Sequence, residues 1–134
     1  MGRKLKYPPI IRFFSRDEMV EVLNNSTLYV HPSEIEIEAI SCLEAISSGL
    51  VPVIANSKRS ATRYFALDDK NLFKNLDAKD LASKIDYWLL NPDKREERQK
   101  EYLDYTKQFD HDYCMDQMEA MLYKVIENGK SKTR

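Results

Sequence analysis

Glycine is scarce in this chain, at three residues in 134, too few for the Gly-rich loops that cradle phosphates in the common nucleotide-binding patterns. Any phosphate binding therefore falls to a helix terminus. Cysteine is scarce too: Cys42 and Cys114 make neither a disulfide framework nor a metal-ligand spacing. Cys42, among small residues on a predicted helix, reads as a packed thiol in a reducing compartment. The two histidines, His31 and His111, have no nucleophile or metal partner at a meaningful spacing and read as structural or surface residues. No apolar run reaches the length that spans a bilayer. The basic start Met1-Gly2-Arg3-Lys4-Leu5-Lys6 lacks the apolar core of a signal peptide, so the expected location is the cytoplasm. A net charge of −1 gives no global electrostatic reason to expect nucleic acid as a partner.

What is present suits one globular domain: 43% hydrophobic residues against 32% charged, in a length that builds a real core but not two full Rossmann units. Ile10–Phe14, after Pro8-Pro9, is a short strand candidate. Ser15 and Glu18 have capping-box spacing and open a helix with Met19, Val22 and Leu23 on one face, ending near Asn24-Asn25. Thr27–His31 is β-branched and aromatic between turn residues, hence a strand. From about Glu38 to Ser48 the residues Ala39, Ile40, Leu43, Ile46 and Leu50 recur at helical spacing, with Gly49 as the stop. Val51–Ala55 is an unbroken apolar run, the mark of a parallel strand buried on both faces. A helical turn over Ala61–Ala66 and a short strand at Leu72-Phe73 follow. Asp77 caps a helix with Leu81, Ile85, Trp88 and Leu89 on one stripe, which Asn91-Pro92 breaks. Lys94–Lys100 is almost wholly charged and reads as a solvated helix face. A last amphipathic helix carries Met115, Met118, Leu122, Val125 and Ile126, and a frayed tail begins at Asn128. The alternation of strand and helix predicts an α/β fold with a parallel sheet.

The densest information lies between His31 and Ala55. Glu36 stands before the predicted helix and Glu44 within it. Eight residues of helical rise span about 12 Å, so the two carboxylates can address opposite ends of one extended ligand. Each can accept two hydrogen bonds from vicinal hydroxyls. The helix start at Ile37–Ile40 offers N–H donors and the positive end of a dipole to an anion between them. The same residues admit a plainer reading, since Glu34, Glu36 and Glu38 alternate with Ile35 and Ile37 as in an exposed strand or solvated turn, and Glu44 is compatible with an ordinary helix surface.

The flanks weigh on that choice. His31-Pro32-Ser33 after a strand, Leu43-Glu44-Ala45-Ile46 within the helix, and Gly49 before Val51-Pro52-Val53-Ile54-Ala55 together resemble the nucleotide-sugar site of the retaining glycosyltransferase family 4 (group 1), the two-Rossmann-domain sugar transferases. Asn56-Ser57, Ser60-Ala61-Thr62-Arg63-Tyr64-Phe65-Ala66-Leu67 and Lys84-Ile85-Asp86-Tyr87-Trp88 resemble, more narrowly, the bacterial enzymes that glucosylate diacylglycerol or cholesterol. The resemblance covers roughly residues 10 to 110. It implies that Glu36 contacts the donor hexose and assists catalysis, that Ile37, Glu38, Ala39 and Ile40 bind the diphosphate through backbone N–H groups, and that Glu44 binds the ribose. Many members carry Gly-aromatic-Gly where this chain has Ile37-Glu38-Ala39, a departure that brings Cβ atoms and a carboxylate towards the diphosphate. Lys58 and Arg63 read equally as solvated loop cations or as donor-phosphate contacts.

The expected fold is a partial Rossmann-like parallel sheet with flanking helices, the carboxyl-terminal part of a two-Rossmann-domain glycosyltransferase. The expected division is an extension over 1–9, a partial donor-binding domain over 10–127 and a disordered tail over 128–134. Family donor domains begin with two further strand–helix units, bearing a glycine–arginine turn that Gly2-Arg3-Lys4 does not match. In the strand order 3-2-1-4-5-6, that omission leaves Ile10–Phe14 to slide in beside Thr27–His31 or leaves an unpaired edge. The resemblance implies a nucleoside-diphosphate hexose donor (UDP-glucose), no further cofactor, and a membrane lipid acceptor at the inner membrane face. No metal is implied, since Asp68-Asp69 sits in a plain turn. Two alternatives stand beside transfer by this chain: a non-catalytic remnant or interaction module that keeps the fold, and one half of a split enzyme completed by a partner chain.

Overall fold

Ser15 opens the first helix as its spacing predicts. In the computed structural model, which describes residues 6–131, the Ser15 hydroxyl accepts the Glu18 N–H at 3.3 Å and the Glu18 carboxylate accepts the Ser15 N–H at 2.8 Å. This reciprocal cap satisfies two orphan donors of α1 (Arg16–Asn24). The chain continues through β1 (Leu28–His31), α2 (Ile40–Ser47), β2 (Val51–Asn56), a 3₁₀ turn (Ala61–Phe65), β3 (Leu72–Lys74), α3 (Ala78–Leu90), α4 (Pro92–Tyr105), a second 3₁₀ turn (Thr106–Phe109) and α5 (His111–Ser131).

The three strands form one parallel sheet in the order β1-β2-β3. Val51 to Ala55 are all buried, as the unbroken apolar run requires, and α2, α3 and α4 all pack against this central strand. Pro52 sits inside it although proline gives the ladder no N–H. The sheet tolerates this because β3 begins only opposite Ile54. At the level of Pro52 the buried Asn71 side chain donates to the proline carbonyl at 2.9 Å instead.

Gly49 ends α2 at φ +81°. Its N–H reaches the Ile46 carbonyl and that of Leu50 the Ala45 carbonyl, both at 3.0 Å, the paired bonds of a left-handed helix stop. The buried face of α2 is Cys42, Ala45 and Ile46, with Ala39 just ahead of the helix, while Ile40 is 58% exposed. The expected stripe through Ile40 is thus rotated: the small side chains turn to the sheet and let the helix approach closely.

Asp77 caps α3 by accepting the Lys79 and Asp80 N–H groups. Trp88 is buried on the inner stripe as expected, whereas Leu89 faces out. The charged run at the start of α4 is not wholly solvated. Arg98 is held between an ion pair with Asp68 and the face of Trp88, with only 14% of its side chain exposed. One turn on, the fully buried Tyr102 hydroxyl donates to the Phe65 carbonyl at 3.0 Å and accepts the Leu67 N–H at 3.3 Å. Burial pushes this phenol well above its ordinary range.

Ile10–Phe14 does not form the expected strand. Ile10, Ile11 and Phe13 are more than four-fifths exposed, because no described strand offers them a ladder. The outer edge of β1 stays unpaired among the described residues, so of the two outcomes the sequence allows, the open edge is the one found. α1 buries none of its residues. α5 forms, but Met115, Met118, Leu122, Val125 and Ile126 are each 43% or more exposed; its apolar face meets no cover within the described chain. The helix runs past Asn128, where the sequence places the start of a disordered tail, to Ser131. Residues 1–5 of the expected extension and 132–134 of the tail lie outside the described residues.

Two measurements follow from this packing. Tyr102→Phe leaves two backbone groups of the 65–67 segment without their partner and should cost about 1–3 kcal/mol in urea unfolding. Burial pushes the Cys42 thiol up to about 12, while Cys114 is partly exposed. A thiol reagent at mildly alkaline pH should therefore titrate one thiol in the native protein and two in denaturant.

Candidate functional site

Ligands of open α/β sheets bind beyond the carboxyl ends of the strands, and here that end is formed by the 32–39 loop between β1 and α2. The loop is pinned to the segment that follows β2. The Glu36 N–H donates to the Arg59 carbonyl at 3.3 Å, and the Glu36 carbonyl accepts the Ala61 N–H at 2.8 Å, an isolated parallel bridge to Ser60. The Ser57 hydroxyl donates to the Glu34 carbonyl at 2.6 Å, and Arg59 pairs with the Glu34 carboxylate. Glu36 is thus fixed by backbone bonds in a loop with no regular structure of its own, and its side chain remains one-third exposed.

The other expected site residues sit as follows. The Ile37 N–H donates to the Glu36 carboxylate at 3.0 Å, so this amide is engaged with its neighbour. Ile37 and Glu38 are exposed, and Ala39 is buried. Ala39 adopts φ +57°, ψ +38° as the residue before α2. This left-handed conformation costs an alanine about 1–2 kcal/mol, and its methyl is packed in the core. α2 has no side-chain cap and no acidic residue in its first turn. Its first N–H groups, from Ile40 and Ser41, have no partner within the helix, and the helix dipole makes this end attractive to an anion.

Glu44 projects from the exposed side of α2. With Ser47 and Ser48 it lines one wall of a groove of about 450 Å³, whose other wall is Phe14, Ser15, Arg16, Met19, Val20 and Leu23. Glu36 lies outside those walls. The structure therefore brings Glu36 and the start of α2 together, and sets Glu44 towards α1. Lys58 is exposed, and Arg63 lies over the Tyr64 ring at 5.9 Å. Among the described residues no three His, Cys, Asp or Glu side chains converge as metal ligands, and no helix is long and apolar enough to cross a membrane.

Sequence reasoning left His31 as a structural or surface residue and gave it no place in the site; it is 7% exposed at the end of β1, the structural alternative. Its Nδ1 lies 2.9 Å from the Tyr29 hydroxyl, which lies 3.0 Å from the Ser41 hydroxyl in the first turn of α2. Its Nε2 faces Glu36 Oε2 at 3.8 Å. Burial pushes the imidazole below its ordinary value, against the opposing pull of Glu36. Tyr29 is pushed up by burial, an effect that Ser41 moderates. The signal was present in the sequence: Tyr29 and His31 alternate on one face of a strand, whose end leads directly into Glu36. Arg59, which neutralises Glu34, was also overlooked.

Residues 9–104 match the family described as glycosyl transferases group 1. Among curated proteins there is no match. The crystal structure of the catalytic domain of cholesterol-alpha-glucosyltransferase from Helicobacter pylori is similar at a TM-score of 0.70 and 53% identity, over 73% of this chain and 62% of that one. The chain thus spans less than two thirds of that relative's length. A family match that runs from the extended segment before α1 to the end of α4, over the same loop and helix that hold Glu36 and Glu44, places this chain in the group 1 glycosyl transferases.

Proposed function

We propose that the chain is the donor-binding module of a retaining hexosyltransferase that takes glucose from UDP-glucose and passes it to a membrane lipid at the cytoplasmic face. The observation that carries this reading is the 53% identity to a glucosyltransferase catalytic domain over 73% of the chain, together with a family match over residues 9–104 that includes the whole 31–55 region. In this reading the diphosphate sits against the unpartnered first turn of α2, where N–H donors and the helix dipole stabilise charge as the leaving group departs. Glu36 contacts the hexose and assists its transfer. Glu38, on the same approach, is exposed and turns its carboxylate to solvent so that the Ile40 and Ser41 N–H groups stay accessible, whereas the Ile37 N–H is already taken by Glu36. Glu44 accepts the two ribose hydroxyls.

Transfer requires donor and acceptor to be held together with water excluded, an organisation worth roughly 7–11 kcal/mol of barrier. A chain that spans 62% of its structural relative leaves that organisation to further residues, in the same polypeptide or in a partner chain. The competing reading is a remnant that keeps the fold for interaction alone. A titration with UDP- and GDP-sugars separates the two: saturable binding of UDP-glucose supports the donor module, and failure to bind any nucleotide sugar favours the remnant.

Glu44→Ala should cost about 1.5–3 kcal/mol of UDP binding by calorimetry, since both ribose hydroxyls lose a charged acceptor; unchanged affinity would show that the ribose lies elsewhere. The purified 134-residue chain should show no measurable glucosylation of diacylglycerol or sterol in a radiolabel assay. Robust transfer abolished by Glu36→Ala would instead make it a minimal enzyme.

A further inference from the structure

We propose that His31 is the positioning residue for Glu36: it presents an Nε2–H to the Glu36 carboxylate, with its tautomer set by the hydroxyls of Tyr29 and Ser41. What Glu36 does for the hexose rests on the function proposed above; how His31 is held does not.

The argument starts from the direction of the hydrogen bonds. The His31 ring is buried, and its Nε2 has no hydrogen-bond partner while no water reaches it. A buried polar atom without a partner is costly, and such atoms are few in folded proteins. The group it faces is Glu36 Oε2 at 3.8 Å. Two neutral tautomers are available. With the proton on Nδ1, the Nε2 lone pair confronts a carboxylate, acceptor against acceptor. With the proton on Nε2, a donor meets the anion, and Nδ1 is left to accept. The second arrangement completes a consistent chain: Ser41 O–H donates to the Tyr29 oxygen, Tyr29 O–H donates to His31 Nδ1 at 2.9 Å, and Nε2–H points at Glu36. Which ring nitrogen carries the proton is set by the bond the other makes. Burial favours the neutral ring over the imidazolium, against the pull of Glu36, and the place of its one proton is decided by this chain.

The separation of 3.8 Å is longer than a direct N–H···O bond. Such contacts are commonly loose in an unliganded site and tighten when substrate binds. Here the closing movement is confined to the Glu36 carboxylate, because the Glu36 backbone is bridged to Ser60 and the His31 ring is packed. Glu36 is then gripped from two sides, by the Ile37 N–H on Oε1 and by His31 on Oε2. This fixes the lone pairs that remain for hexose hydroxyls. Ser41, the far end of the chain, belongs to the first turn of α2, so the same relay couples the helix start to the carboxylate.

Two readouts test this. Nitrogen-15 NMR of the two imidazoles at neutral pH should show His31 in the Nε2–H tautomer, with exposed His111 as the internal control. Tyr29→Phe should populate the Nδ1–H form in a protein that stays folded by circular dichroism. Glutamine places its amide nitrogen where Nε2 stands, and asparagine where Nδ1 stands. His31→Gln should therefore keep the wild-type ratio of UDP-glucose to UDP affinity within about twofold, and His31→Asn should lower that ratio about tenfold with UDP affinity unchanged. An Nδ1–H tautomer in the wild-type protein, or equal ratios in the Gln and Asn variants, would overturn the proposal. If the wild-type protein binds neither UDP nor UDP-glucose, the donor-site reading fails and the tautomer measurement alone decides the role of His31.

Discussion

The rest of the structure depends on covering one strand. β2 is buried from Val51 to Ala55, and a parallel strand in that position needs apolar cover on both faces. α2, α3 and α4 supply it, and each is brought to the strand by a different local device. Gly49 turns the chain sharply from α2 into β2. Asp77 starts α3 immediately after β3. Arg98 and Tyr102 on α4 tie that helix to the 65–68 segment and to Trp88. The polar groups in this core are few, and most are spent on joining elements: Asn71 to Pro52, Tyr102 to Phe65 and Leu67.

The candidate site inherits its order from that core without being part of it. The 32–39 loop has no helix or strand hydrogen bonds of its own, so its geometry comes from the bridge between Glu36 and Ser60 and from the bond of Ser57 to Glu34. Both anchors lie just beyond β2. A strand buried along its length thus positions Glu36 through two short loops, the usual arrangement of variable chemistry on a fixed scaffold. The left-handed Ala39 belongs to the same logic: the turn from loop into α2 demands that conformation, and the methyl is accommodated by packing where a glycine would adopt it freely.

At the periphery the constraint weakens. Among the described residues β1 has an open edge, Ile10–Phe13 lies exposed without regular structure, and α5 carries an apolar face in solvent. In contrast to the core, the outward faces of these elements have no cover within the described residues.

That contrast separates what was legible in the sequence from what was not. The capping box at Ser15, the helix stop at Gly49 and the cap at Asp77 were readable because each is a local pattern whose energetics close within a few residues, and the strands at Thr27–His31 and Val51–Ala55 were readable from β-branched and unbroken apolar composition. The family of the chain was readable too, from the spacing and flanks of Glu36 and Glu44. The tertiary structure alone decided the rest. Ile10–Phe14 has strand composition but no strand, since a ladder needs a neighbour that composition does not supply. α2 turns Cys42, Ala45 and Ile46 inward and leaves Ile40 exposed, a rotation about its axis that apolar spacing alone does not select. His31 reads as an isolated histidine in sequence and becomes a buried partner of Glu36 because the 32–39 loop folds back to bridge Ser60. Local free energies are written into short stretches of sequence, whereas pairing, rotation about a helix axis and the meeting of distant polar groups depend on contacts that exist only once the chain has closed on itself.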